Sequence, residues 1–253
     1  MTETGKAETT IENGIATVTF FHPQSNSLPG TVLRKLAAEI ETAGNNKDVK
    51  VIILKSEGEK AFCAGASFDE LISIQNLEEG KKFFSGFAAV INAMRKAPKF
   101  VIARIQGKAV GGGVGLACAA DYTLAMDTAS VKLSELAVGI GPFVVGPAVE
   151  RKIRTSAFAQ LSIDATEWQT AQWAKEKGLY AEIFSSVEEL DMAVMTLAQK
   201  LAASNPDAMS ELKKVFWKGT DHWDSLLIER AEISGRLVLS EFTRKAIEKF
   251  KTK

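Results

Sequence analysis

Apolar and polar positions along the first two-thirds of the chain form patterns that predict short strands separated by helices. Strand patterns, either alternating or fully apolar, occupy residues 15–21, 51–54, 100–106 and 122–126. Apolar residues have helical spacing from Leu33 to Gly44 and from Phe83 to Met94, ahead of Pro98. Strands that alternate with helices in this way predict an α/β fold.

The last quarter of the sequence contains helical patterns and no strand pattern. Ser186 and Glu189 have the spacing of a capping box at the start of a helix, which Asn205-Pro206 ends. Helical patterns also run through residues 212–216 and 226–250. We therefore predict a core and a helical region whose apolar faces favour an oligomer. Their predicted bounds are residues 1–190 and 191–253.

Residues 101–121 combine an apolar strand, a triple glycine and an alanine-rich helix. The run Gly111–Gly113 allows a sharp bend, and helix formers from Leu116 to Ala120 place the glycines at a helix N-terminus. Unpaired N–H groups there attract an anion or a developing oxyanion. An equally supported interpretation is that the glycines only let strand and helix pack closely. The stretch lacks the pattern of a phosphate-binding loop, and Leu116 breaks the dinucleotide-binding pattern.

Composition excludes several classes of function. The chain has 253 residues, 46% of them hydrophobic, which suits one large domain or a domain with an appendage. Its 31 basic and 31 acidic residues give zero net charge, so we expect no nucleic-acid partner and no attraction to an anionic membrane. The sequence has no bilayer-spanning apolar run and no signal-peptide pattern. With only Cys63 and Cys118 as cysteines, we expect a cytoplasmic protein.

Two further loops carry candidate chemistry. The small residues Ala64, Gly65 and Ala66 follow an apolar strand and leave main-chain N–H groups accessible. The loop over residues 130–147 carries Glu135 in the apolar segment LSELAVG. Burial there is expected to raise the pKa of its carboxyl to about 6–7, which suits general acid–base catalysis. Without this context, a glutamate after a serine is more often a surface or capping residue.

In this order and at these spacings, the three motifs resemble those of the crotonase (enoyl-CoA hydratase/isomerase) superfamily, over essentially the whole chain. The resemblance implies a spiral of ββα units followed by a C-terminal helical oligomerisation region. It also implies an acyl-CoA thioester as substrate, and a homotrimer or a dimer of trimers. It implies no metal, and no cofactor besides the coenzyme A of the substrate.

The resemblance also implies roles for particular residues. The backbone N–H groups of Ala66 and Gly112 match the family's two oxyanion-hole donors, which would hold the thioester oxygen of an enolate. Glu135 matches the family's second acidic catalytic position. Residues expected to line the substrate pocket are Phe68, Gly111 and Phe143, the last of which stands where hydratases usually have glycine.

Gly115 departs from the hydratase pattern, which has its other catalytic glutamate at this position. Adding water to a double bond needs one group to activate water and another to manage the α-proton, whereas a double-bond shift needs one base. The single glutamate and residues 139–150 resemble the Δ3-Δ2-enoyl-CoA isomerases, so isomerisation is the favoured prediction. Alternatively, Gly115 serves helix packing, and Asp69, Glu70 or Glu150 replaces the lost acid.

The sequence leaves other functions open. Hydration, including that of a branched substrate such as methylglutaconyl-CoA, is the leading alternative. A decarboxylase would need a carboxylate-binding arginine, and the sequence assigns this role to neither Arg104 nor Arg151. Zero net charge and Glu135 disfavour a non-catalytic protein that binds CoA thioesters or RNA. His22 and His222 give little support to a serine–histidine triad or a histidine metal site.

Overall fold

The computed structural model describes residues 5–251, and the side chains of residues 5–247. The strands in chain order are β1 (Lys6–Glu12), β2 (Ile15–Phe21), β3 (Ser27–Leu28), β4 (Val51–Ser56), β5 (Ala61–Cys63), β6 (Gly65–Ala66), β7 (Phe100–Ile105), β8 (Lys108–Val110), β9 (Tyr122–Met126), β10 (Val131–Lys132) and β11 (Glu182–Phe184). The helices are α1 (Gly30–Asn45), α2 (Phe68–Ser73), α3 (Leu77–Lys96), α4 (Gly112–Ala119), α5 (Gly146–Ile163), α6 (Ala171–Glu176), α7 (Val187–Ala202), α8 (Pro206–Phe216), α9 (Trp223–Leu237) and α10 (Glu241–Lys251).

A six-stranded sheet in the order β1-β2-β4-β7-β9-β11 forms the centre of this α/β fold. β1 runs antiparallel to β2, and the remaining neighbours in this sheet are parallel. β4 and β7 are buried almost throughout, because parallel strands in the middle of a sheet are covered on both faces. Their nearly continuous apolar sequences follow from this burial. The four predicted strands and the two predicted core helices are confirmed.

The N-terminal strand β1 is absent from the sequence-based prediction. Its residues are mostly polar and exposed because it lies at the edge of the sheet, so it shows no run of buried apolar positions. It pairs with β2 in a continuous register from Lys6 opposite Phe21 to Glu12 opposite Ile15. A turn at Asn13-Gly14 joins these two strands, and its residues have φ angles of 51° and 79°, as in a type I′ hairpin.

Two small sheets carry the loops with candidate chemistry. β10, β8 and β5 form a three-stranded parallel sheet, and β3 pairs with β6 in parallel. β6 leads into α2, β8 leads into α4, and β10 leads into a 3₁₀ turn at Leu136–Val138. The small sheets therefore bring three loops that are distant in sequence to one side of the molecule.

Helices follow β11, as predicted. The predicted helical stretch 226–250 is divided between α9 and α10, which are separated by residues 238–240. Ser186 caps α7 by accepting a hydrogen bond from Glu189 N (3.2 Å). The Glu189 carboxylate accepts from Ser185 N (3.3 Å). The second hydrogen bond of the predicted capping box therefore comes from Ser185 instead of Ser186.

The C-terminal helices pack directly on the core. Gly80 of α3 and Gly235 of α9 are so close that a Cβ on Gly80 would lie 2.7 Å from the Gly235 Cα. The boundary at residue 190 stays a prediction. The predicted oligomer also stays a prediction, although the helical region exposes the large apolar side chains Leu212, Val215, Phe216 and Phe242. Over residues 5–251, no helix is long and apolar enough to cross a membrane.

A buried ion pair joins α8 to the core. The Asp121 carboxylate accepts from Lys213 Nζ (2.8 Å), Trp217 Nε1 (2.8 Å) and Val101 N (2.7 Å). The two charged side chains are each 4% exposed. Lys213 also donates to two backbone carbonyl oxygens near the end of α3, each at 2.7 Å. Both charges therefore have the hydrogen-bond partners that burial requires.

We expect Lys213→Met to lower the free energy of unfolding by about 3–5 kcal/mol, because it leaves the buried Asp121 carboxylate without its cation. Lys214→Met is the matched control, since Lys214 is exposed and pairs with Glu211 at the surface. It should change stability little. Chemical denaturation measures both variants, and equal losses would contradict a stabilising role for the buried pair.

Candidate active site

The turn between β8 and α4 is built from three glycines. Gly111 has φ 53° and ψ −117°, a conformation that residues with a side chain rarely adopt. Its N–H donates to Lys132 O (2.8 Å), and its carbonyl accepts from Val114 N (2.9 Å). Helix α4 starts at Gly112, four residues before Leu116. The predicted helix N-terminus at the glycines is therefore confirmed, with the glycines inside the first turn.

Close packing requires the other two glycines. A Cβ on Gly112 would lie 2.1 Å from Phe87 Cε1, and a Cβ on Gly113 would lie 2.4 Å from the Cys63 carbonyl oxygen. The packing interpretation of the triple glycine is thus also correct. The two interpretations are compatible, because the Gly112 amide belongs to the first helical turn, whose N–H groups have no acceptor within the helix.

The second loop lies against the glycine turn with backbone facing backbone. A Cβ on Gly65 would lie 2.9 Å from Val110 O and 3.5 Å from Gly112 N. In the pairing of β6 with β3, Ser67 N donates to Leu28 O (3.1 Å). Because successive amides of a strand point to opposite sides, the Ala66 N–H faces away from β3.

A cavity of about 70 Å³ lies where these loops meet, and we call it the site cavity. The structure brings all six predicted site residues to its lining: Ala66, Phe68, Gly111, Gly112, Glu135 and Phe143. The lining also contains residues that the sequence did not indicate, among them Leu71, Phe84, Phe87, Ser134, Val145 and Ser234. Ser234 comes from α9, and no local motif marks it. The functional roles of the six residues stay predictions.

Glu135 places its carboxyl group in the site cavity against Gly111. A Cβ on Gly111 would lie 3.0 Å from Glu135 Oε1, so a side chain there would displace the carboxylate. The residue is partly exposed, but its Oε2 atom is buried and has no hydrogen-bond partner in the described part of the chain. Burial raises the pKa of Glu135 to about 7, and a hydrogen bond from its own backbone lowers the pKa by less. This direction agrees with the sequence-based expectation.

The three proposed substitutes for a second acid do not reach the site cavity. Glu70 accepts from Gly30 N (2.6 Å), Asp69 accepts from Gln24 Nε2 (2.9 Å), and Glu150 accepts from Thr155 Oγ1 (2.7 Å). The lining therefore gives no support to the expectation that one of them replaces the missing acid, which stays a prediction. Glu135 is the one titratable residue among the described residues that line the cavity.

Gly115 lies in α4 where Val145 leaves no room for a side chain. A Cβ on Gly115 would lie 2.4 Å from Val145 Cγ1 and 2.5 Å from Val145 Cβ. The sequence alone suggests that Gly115→Glu could restore a second carboxylate. The structure corrects this expectation, because the new side chain would first have to displace Val145.

The raised pKa of Glu135 predicts a pH-dependent loss of stability. The carboxyl has a pKa of about 7 in the folded chain, against about 4.3 in an unfolded chain. Between these values the unfolded state binds fewer protons, so wild-type stability falls as the pH rises. We expect the stability of Glu135→Gln relative to wild type to increase by about 3–4 kcal/mol from pH 4 to pH 8. Denaturation at several pH values measures this difference in stability, with the surface variant Glu150→Gln as control. A difference that does not change with pH would show that the pKa of Glu135 is not raised.

The contact between Gly115 and Val145 is tested by a double-mutant cycle. Gly115→Ala should lower the free energy of unfolding by about 1–3 kcal/mol, because the methyl group overpacks the contact. The same substitution should cost less in a Val145→Gly background, where both contacting carbon atoms are gone. Thermal or chemical denaturation of the four proteins gives the coupling energy. Strict additivity would show that Gly115 is needed for another reason.

Known proteins resemble this chain in both sequence and fold. The sequence profile of the enoyl-CoA hydratase/isomerase family matches residues 10–251. The chain is 33% identical to YngF of Bacillus subtilis (strain 168), provisionally named as an enoyl-CoA hydratase/isomerase, over 85% of this chain and 84% of YngF. It is 32% identical to the mitochondrial methylglutaconyl-CoA hydratase of Rattus norvegicus, over 81% of this chain and 67% of that protein.

The fold also matches solved structures. The crystal structure of an enoyl-CoA hydratase from Bacillus halodurans superposes with a TM-score of 0.88 at 23% identity, and the match covers 96% of this chain and 99% of that one. At this identity the likeness supports the fold alone. The family match over nearly the whole chain extends the conclusion to the class of protein: this chain is an enzyme of the enoyl-CoA hydratase/isomerase family, with the crotonase fold.

Proposed function

We propose that this enzyme isomerises 3-enoyl-CoA to 2-enoyl-CoA through an enolate of the thioester. The observation that carries the proposal is the single carboxylate of the site cavity. Within the described residues, Glu135 is the only titratable group in the lining, and burial raises its pKa to about 7. A base with that pKa is half ionised near neutral pH, which suits a group that must both accept and return a proton.

The enolate needs stabilisation that Glu135 does not provide. Removing the C2 proton of a thioester concentrates negative charge on the carbonyl oxygen. The N–H groups of Ala66 and Gly112 are the proposed donors to that oxygen, because both loops line the cavity beside Glu135. One such donor contributes about 3–4 kcal/mol in enzymes where it has been removed, and a helix N-terminus adds about 0.3–1 kcal/mol. The two amides therefore outweigh the helix dipole.

One carboxyl group can carry out both proton transfers of the reaction. The Glu135 carboxylate takes the proton from C2, and the C2 electrons form a bond to C1 as the thioester oxygen becomes an oxyanion. The resulting dienolate then accepts the same proton at C4 while the double bond moves to C2–C3 and the carbonyl reforms. No water, metal or redox partner enters this sequence, so we propose coenzyme A, as part of the substrate, as its sole cofactor requirement.

Hydration is the second candidate, because the rat relative is named a methylglutaconyl-CoA hydratase. Adding water needs a second group to activate it, and the other side chains with polar atoms in the described lining are the hydroxyls of Ser134 and Ser234. A methylglutaconyl group also carries a distal carboxylate. No lysine or arginine in the described part of the chain lines the cavity to pair with it. We therefore favour isomerisation over hydration.

The remaining alternatives have less support. A decarboxylase would need a cation near the substrate carboxylate, whereas Arg104 pairs with Asp191 and Arg151 stacks on Trp217 with its guanidinium carbon 4.0 Å from the ring centre. Neither arginine lines the site cavity. A non-catalytic role in binding CoA thioesters or RNA is disfavoured by membership in an enzyme family and by zero net charge.

Activity of the wild type and of Glu135→Gln tests the proposal. The wild type should convert trans-3-hexenoyl-CoA or 3-butenoyl-CoA to the 2-enoyl isomer, and hydrate crotonyl-CoA far more slowly. Glu135→Gln should reduce isomerisation by a factor of about 10²–10⁴ while CoA-thioester binding changes little, because only the proton carrier is lost. Glu150→Gln, on the surface, should keep the wild-type rate. Rapid hydration of crotonyl-CoA without 3-enoyl turnover would refute the isomerase assignment.

A further inference from the structure

A second hollow lies beside the site cavity, and we call it the outer groove. It has a volume of about 460 Å³, against about 70 Å³ for the site cavity. Its wall is largely apolar and comes from the loop before α5 and from α5 itself, including Phe158 and Ile163, with Glu150 and Arg230 also in its lining. The proposed isomerisation leaves this groove without a role.

The two hollows share one wall, the segment from Ile140 to Phe143. The Phe143 ring is pressed against Gly141, since a Cβ on Gly141 would lie 2.6 Å from Phe143 Cε2. Phe143 N donates to Gly141 O (2.8 Å), which closes a tight turn. Phe158 lies farther along the groove and packs on Gly146. It does not line the site cavity.

The size of the site cavity limits what it can hold on its own. On the same measure, the site cavity has about 70 Å³ and the outer groove about 460 Å³, so the site cavity leaves room for only a small group. That is enough for the thioester carbonyl and a short acyl group. A chain of ten carbons would have to continue past the Phe143 ring, and the outer groove is the space on the other side of that ring.

We propose that Phe143 determines substrate specificity by closing the site cavity against the outer groove, so that the enzyme prefers short acyl groups. Removing the ring joins the two hollows, and the outer groove then receives the distal methylene groups of a longer acyl chain. This inference rests on the proposed acyl-CoA function of the site cavity. It concerns the length of the acyl group and not the proton transfer.

The test compares a short and a long substrate in three proteins. We measure kcat/KM for 3-butenoyl-CoA and trans-3-decenoyl-CoA with wild type, Phe143→Ala and the control Phe158→Ala. The wild type should prefer the short substrate. Phe143→Ala should raise the ratio of long-chain to short-chain kcat/KM by at least about tenfold, because pocket length is discriminated at roughly this level per excluded group. Phe158→Ala should leave the ratio unchanged, because it enlarges the groove without opening the wall.

Binding measurements separate this inference from the proposed reaction. Calorimetry with butanoyl-CoA and decanoyl-CoA needs no turnover, so a shift in the affinity ratio for Phe143→Ala supports the inference even where 3-enoyl turnover fails. Phe143→Leu provides a smaller opening if the alanine variant does not fold, and should shift the ratio in the same direction. Equal use of both chain lengths by the wild type would overturn the proposal. So would an unchanged ratio in a folded Phe143 variant.

Discussion

The candidate active site depends on holding one carboxyl group where its Oε2 atom has no hydrogen-bond partner among the described residues. Glu135 Oε2 is buried without a hydrogen bond in the described part of the chain. Oε1 lies against Gly111, which has no side chain. Such a group destabilises the folded chain when it is ionised. The fold tolerates this because the surrounding elements are fixed by other contacts, including the buried pair of Asp121 and Lys213.

The glycines around this carboxyl group satisfy several requirements at once. Gly111 needs a positive φ and must leave space for Glu135, while Gly112 and Gly113 must let α4 approach Phe87 and Cys63. These glycines also contribute no side chain that could cover the amides at the start of α4. The same glycines therefore allow α4 to pack closely and leave space for the Glu135 carboxyl group, because none of them has a side chain.

The main sheet could be predicted from the sequence because its inner strands are buried on both faces and carry long apolar runs. β1 could not, because an edge strand with exposed polar residues has no such pattern. Helix α5 was also missed, since it follows a loop rich in glycine and contains a residue with positive φ, Arg154, that interrupts its regular geometry. Periodicity in the sequence reflects burial, and it fails where a segment is mostly exposed or where its regular geometry is interrupted.

The site residues could be predicted because their motifs resemble those of a known family, and the structure brings them together. Ser234 and the contact of Gly115 with Val145 could not, because each depends on which distant segments meet in space. The Asp121–Lys213 pair joins residues 92 positions apart and leaves no local signature either. Sequence patterns thus identified the parts of the site, while the limits on what those parts can hold came from the packing.

The approach of Gly80 to Gly235 gives the C-terminal region a role beyond covering the core. Because these two glycines let α3 and α9 touch backbone to backbone, the neighbouring Ser234 reaches the lining of the site cavity. The C-terminal helical region therefore cannot be exchanged without affecting the site cavity. A chimera that exchanged this region between relatives would replace part of the wall of the site cavity, and a larger residue at either glycine would push α3 and α9 apart.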